Sequence, residues 1–146
     1  MKKFAITAFI FFIVLFSFSG CDKSTSPSEK ERTTQLLTGK WKPASADSWA
    51  MADGVNVSGL FNGFTLSFTE TGYTTTGTSP VWPASDTWNF KDDSFTLIVR
   101  GADGLEIRLI TLDSNNLKMG FVWNQTTHKN GRLHSIAGKH EFTLTR

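Results

Sequence analysis

The residues able to do chemistry are few. Cys21 is the only thiol in the chain. It ends Phe18-Ser19-Gly20-Cys21, directly after an apolar run, and is followed by a polar stretch beginning Asp22-Lys23-Ser24. A lone cysteine forms no intrachain disulfide, so its sulfur is left as a nucleophile. His128, His134 and His140 follow no metal-ligand spacing and have no cysteine beside them, which predicts no metal site. Asp92-Asp93 reads as a solvated turn rather than an acid pair. There is no Gly-rich phosphate loop and no G-x-S-x-G nucleophile elbow. The expectation is a protein that is not an enzyme and carries no cofactor. The remaining chemistry is aromatic, carried by 13 Phe and 5 Trp.

What positions Cys21 is the segment ahead of it. Lys2 and Lys3 precede an apolar run from Phe4 to Phe18, broken only by Thr7 and Ser17. That is the length of a signal-peptide core; a membrane-spanning helix needs about 20 apolar residues. Small residues before a cysteine, with a bulky apolar residue ahead of them, resemble the lipobox of bacterial lipoproteins, although Phe18 stands where Leu is commonest. The resemblance implies that residues 1–20 are a lipoprotein signal peptide. It also implies that Cys21 carries a diacylglycerol and that the new amine is acylated. The partner would then be a lipid bilayer and the location the cell envelope, at the inner or the outer membrane. Ordinary cleavage before Gly20 and an uncleaved anchor helix are the competing readings.

Residues 21–35 read as the lipidated cysteine and a flexible tether. The stretch is rich in Ser, Thr, Lys and Glu, and has no aliphatic or aromatic side chain to bury. Lys2 and Lys3 supply the formal charge of +2, so the rest of the chain is balanced. A balanced domain without a basic stripe predicts no nucleic-acid partner.

From residue 36 to 146 the dominant period is two. Phe64-Leu66-Phe68, Phe95-Leu97-Val99, Leu105-Ile107-Leu109, Leu117-Met119-Phe121-Trp123 and Phe142-Leu144 each alternate with largely polar neighbours. Strands near Thr38–Ala46, Tyr73–Thr78 and Asp86–Phe90 bring the count to eight. A three-residue loop at Ala102-Asp103-Gly104 would set Val99 opposite Ile107, Leu97 opposite Leu109 and Arg100 opposite Glu106. Asp113-Ser114-Asn115 would likewise set Leu109 opposite Met119. Helical periodicity is weak everywhere, apart from a short turn within Ser48–Phe61.

The expected fold is all-β: an eight-stranded antiparallel up-and-down barrel, with an antiparallel sandwich as the alternative. Leu37-Thr38-Gly39-Lys40-Trp41-Lys42 opens the first strand with G-x-W, and the chain ends on Arg146. This pattern resembles the lipocalins and their fatty-acid-binding relatives. The resemblance implies a structural pair in which Trp41 packs at the closed base and Arg146 covers it. The later lipocalin motif, the C-terminal helix and the disulfides are missing.

In a meander, the long connections 47–62, 77–85 and 124–137 fall at one end, with tight turns at the other. That predicts a cup whose mouth faces away from the tether. Two uses follow. In one, Trp82, Trp88, Leu105, Phe121 and Trp123 wall a pocket for a small apolar or amphiphilic ligand. In the other, the aromatic side chains fill the barrel, and the protein is a structural or interaction lipoprotein contacting another envelope protein or a glycan. Trp82, between Pro80 and Pro83, reads equally as a lid and as a plug.

Overall fold

The computed structural model describes residues 26–146. The expected signal peptide and Cys21 lie outside the described residues. The first element revises the expected tether. Helix α1 (Glu29–Leu37) occupies much of the stretch expected to stay flexible to residue 35. Ser28 explains its start. Glu31 N–H donates to Ser28 Oγ at 3.2 Å, and Ser28 N–H donates to Glu31 Oε2 at 2.8 Å, a reciprocal capping box. So short a helix is marginal in isolation. Here it is docked: Leu37 is fully buried, and its carbonyl accepts the Trp41 indole N–H at 2.8 Å.

The strands that follow are β1 (Gly39–Pro43), β2 (Ala50–Ala52), β3 (Val55–Asn56), β4 (Thr65–Phe68), β5 (Gly72–Thr76), β6 (Ser85–Phe90), β7 (Leu97–Arg100), β8 (Glu106–Leu112), β9 (Asn116–Trp123), β10 (Thr127–Lys129), β11 (Arg132–Ser135) and β12 (Gly138–Thr145). Eight of them form an antiparallel barrel in the order β1-β4-β5-β6-β7-β8-β9-β12, and β12 pairs back onto β1 to close it. Closure leaves no long unpaired edge, which an open eight-stranded sheet would expose.

The first barrel strand is not continuous. The expected strand Thr38–Ala46 ends at Pro43, and the same edge of β12 is taken up again by β2, with Phe142 opposite Ala50 and His140 opposite Ala52. Thr143 bridges the break, accepting from Ala44 N–H at 3.1 Å and donating its own N–H to Trp49 O at 2.7 Å. The intervening residues loop out as a wide bulge, and Trp49 is buried in the core. The long connections are not bare loops. The first holds β2, β3 and a 3₁₀ turn at Ser58–Leu60, and the last holds the β10–β11 hairpin.

The β8–β9 hairpin has the expected Leu109 opposite Met119, but its turn places four residues, 113–116, rather than three inside the last pair, with Leu112 opposite Leu117, and a bulge at Ile110 restores the expected pairing. The β7–β8 hairpin does not keep its expected register. Ile98 lies opposite Ile107, Val99 opposite Glu106 and Leu97 opposite Arg108. The cause is the turn. Arg100 N–H donates to Leu105 O at 2.9 Å, and Gly104 N–H donates to Arg100 O at 3.0 Å, so the loop holds four residues, 101–104, rather than three. A one-residue slip turns every side chain of a strand to the opposite face. Ile98 and Arg100 therefore point inward, and Leu97 and Val99 are only half-buried.

At the mouth end two connections meet on glycine. Gly77 has φ +72°, and a Cβ there would sit 2.3 Å from Gly63 C and 2.4 Å from Asn62 O. Thr78 N–H donates to the same Asn62 carbonyl at 2.8 Å. Gly77→Ala is therefore expected to cost more than about 1 kcal/mol, because strain and clash both oppose it. Urea denaturation checks this, and a wild-type midpoint would contradict it.

Candidate recognition site at the barrel mouth

The barrel interior is occupied by its own side chains. Trp49 stacks on Phe64 at 5.4 Å between ring centroids, and Phe61 meets Phe142 edge-on at 5.2 Å. Phe121, Phe142 and His140 form a cluster of nearly parallel rings, with Phe121 5.6 Å from Phe142 and 5.5 Å from His140, and those two 6.2 Å apart. Trp82 drops from the β5–β6 connection into this cluster. It meets Tyr73 at 5.3 Å, Phe121 at 5.6 Å and Phe142 at 6.0 Å, each close to perpendicular, and is 2% exposed. Such tilted and edge-on pairs are the favoured aromatic geometries. Trp82 is thus a plug, not a lid.

Sequence reasoning missed the charged centre of this end. Arg100, expected outside and opposite Glu106, is 1% exposed and inside the mouth. Its Nε–H donates to Asp103 Oδ1 at 2.9 Å, its Nη2–H donates to Asp103 Oδ2, and its Nη1–H donates to Val81 O at 2.8 Å. The guanidinium carbon lies 5.8 Å from the ring centres of both Trp82 and Trp123, a double cation–π contact. Burial opposes the charge more than any single contact favours it, but the Asp103 hydrogen bonds and the Tyr73 and Asp103 charges together outweigh it, and the Arg100 pKa stands above the usual arginine value. The same hydrogen bonds hold the Asp103 carboxyl below the usual carboxylate range. Burial pushes the neighbouring Tyr73 phenol up to about 12. Glu106 pairs instead with Lys91 on the outer surface. The missed signal was the turn itself: Gly101-Ala102-Asp103-Gly104 suits a four-residue loop as well as a three-residue one.

The expected pocket residues divide. Trp82 and Trp123 flank Arg100 and Phe121 packs against Trp82, with Trp82 and Phe121 buried and Trp123 half-buried. Trp88 is buried but meets Phe68 and Phe90, and its indole N–H donates to Thr69 O at 3.0 Å. Leu105 is half-buried at the rim. The concave sites these residues touch are on the outside. One, of about 380 Å³, crosses the wall between Leu97, Leu105, Ile110 and Val122, with Glu106, Arg108 and Lys139 around it. A second, of about 240 Å³, lies on the rim among Asp103, Leu105, Val122, Trp123, Asn124 and Gln125. They share Leu105 and Val122, so they form one continuous surface.

At the opposite end the Arg146 guanidinium lies 4.6 Å above the Trp41 ring, and Nη2–H donates to Leu36 O at 2.6 Å and Thr38 O at 3.0 Å. A Cβ at Gly39 would fall 3.3 Å from Arg146 Nη1, so the glycine makes room for the arginine that covers Trp41. This is the physical content of the G-x-W pattern here.

These features define the class: a closed eight-stranded antiparallel β-barrel, consistent with a lipocalin-like fold. No protein-family model matches the chain, and no curated protein or solved structure matches it.

Proposed function

We propose that the protein is a membrane-anchored envelope lipoprotein whose barrel is a non-enzymatic recognition module, working through its outer surface at the mouth end. The observation that carries this is the interior. The rings of Trp49, Phe64, Trp82, Phe121 and Phe142 occupy the volume that a lipocalin-like ligand would take. An eight-stranded barrel has room for side chains or for one small ligand. The anchor would be acylated Cys21. Because α1 and Arg146 converge on Trp41, the tether would enter at the closed end and hold the mouth away from the bilayer.

A second reading is favoured by the 380 Å³ wall groove. Its apolar lining and its position between Arg108 and Lys139 suit a small amphiphile bound outside the barrel. Native mass spectrometry of the full chain extracted in mild detergent tests both. An unliganded mass supports partner recognition. A bound small molecule lost on Ile110→Asp as well as on Val122→Asp supports the wall groove, because Ile110 lines that groove and not the rim. A bound molecule that survives Val122→Asp places the ligand inside and overturns both readings.

The anchoring has its own expected outcome. Cys21→Ser is predicted to move the protein from the membrane fraction to the soluble one or to leave an unprocessed precursor. Normal processing with full membrane retention would rule out lipidation at Cys21.

A further inference from the structure

We propose that the rim pocket beside Trp123 binds a neutral saccharide. The inference rests on the recognition reading above and names the ligand class for that surface.

A pyranose ring presents an apolar C–H face and a girdle of hydroxyls, each able to donate and accept. The rim pocket offers a partner for each. Trp123 is half-exposed, and its indole N–H donates to Ser135 Oγ at 3.4 Å. That bond and the Arg100 guanidinium behind the ring fix its orientation. Leu105 and Val122 add apolar surface. The polar side comes from Asp103, whose side chain is 42% exposed, and from the exposed amides of Asn124 and Gln125. Those two side-chain amides make no hydrogen bond among the described residues, so both donors and both acceptors are open to a ligand. The volume of about 240 Å³ suits a sugar ring, and is small for a folded protein epitope.

Charge narrows the class. The cation behind the pocket is Arg100, and its guanidinium is occupied, with Nε and Nη2 donating to Asp103 and Nη1 to Val81 O. What the pocket shows to solvent is the carboxylate, so sulfated, phosphorylated or uronic sugars would meet a like charge. Asp103 Oδ1 already accepts from Arg100 and from Leu105 N–H, so a neutral hydroxyl donates to the remaining lone pair of Asp103 Oδ2 without that penalty. Arg100 does not touch the sugar. It is a positioning residue that holds the aromatic platform and the acceptor in one geometry before binding, which lowers the ordering cost of association.

The test is a glycan array of neutral and acidic oligosaccharides, probed with the full chain in detergent and with its Trp123→Ala, Trp123→Phe and Gln125→Ala variants. Retention on neutral glycans is expected. Trp123→Ala should lower it about tenfold or more, as loss of a hot-spot aromatic does. Gln125→Ala should lower it severalfold, and Trp123→Phe, which keeps a platform, should retain most of it. Circular dichroism establishes that each variant is folded. A blank array, preference for acidic glycans, or wild-type binding by a folded Trp123→Ala chain would overturn the proposal. A blank array together with an unliganded barrel in mass spectrometry would remove the sugar and leave the recognition reading standing. A ligand retained inside the barrel would remove that reading as well.

Discussion

Asp103→Ala is expected to destabilise the domain by about 3 kcal/mol, although Asp103 itself is largely open to water. The reason is Arg100. Its side chain is 1% exposed, and without Asp103 its remaining direct partners are Val81 O and two indole faces. Removing one member of a buried pair strands the other charge, at a cost of about 3–5 kcal/mol. Solvent around the Asp103 side of the pair screens it, so the lower end applies. Arg100→Met should cost less, about 1–2 kcal/mol. It fills much of the same volume and leaves Asp103 free to hydrate, and one lost hydrogen bond to Val81 O is the main debit. The double variant should resemble Arg100→Met alone. Chemical denaturation of all three measures the coupling directly. Equal costs for the two single variants would show that Arg100 is not buried as a charge.

The pH dependence follows with a definite sign. The folded Asp103 pKa lies below the ordinary carboxylate value because Arg100 hydrogen-bonds its ionised form. Its contribution is therefore complete above the unfolded value, about 4, and is lost as pH falls through the depressed folded one. Wild-type stability should decline over that acidic window more steeply than that of Asp103→Ala.

Trp41→Ala carries the other large effect, an expected loss of about 3–5 kcal/mol from a total of the order of 5–15 kcal/mol. Trp41 is fully buried at the closed end, and three structures converge on it. Its N–H holds Leu37 O at the end of α1, its ring carries Arg146, and its strand pairs β4 with Trp41 opposite Leu66. Alanine leaves a cavity, releases the latch of a helix too short to persist alone, and uncovers Arg146. The variant should lose helical signal as well as stability. A denaturation midpoint near that of the wild type would show that the closed end does not depend on this side chain.

Much of this was legible in the chain. The alternation of Ile107 and Leu109 and of Leu117, Met119 and Phe121 set the β8–β9 pairing beyond the turn, because burying both apolar faces requires Leu109 opposite Met119. The turn itself places four residues rather than three inside the last pair, and the bulge at Ile110 absorbs the difference. Helix α1 was legible in principle. Ser28 followed three residues later by Glu31 is a capping box, but the helix has little apolar face and its stability comes from docking Leu37. Strand β7 was ambiguous by nature. Leu97 and Val99 on one face compete with Ile98 and Arg100 on the other, and hydrophobicity favours the first pair.

Sequence by itself therefore determined the eight-stranded wall, the closed all-β architecture, the tight and loop-rich ends, and the aromatic supply for the interior. These depend on local period and turn chemistry, which act over a few residues. Tertiary structure alone decided that Trp82 fills the barrel rather than covering it, that the first strand breaks and resumes along β12, and that a charged arginine goes inside. The last outcome needs Asp103, Val81, Trp82 and Trp123 assembled around Arg100 at once. Burying that charge is favourable only when all its partners are in place, and Val81, Trp82 and Trp123 come from connections and strands far from it in the chain.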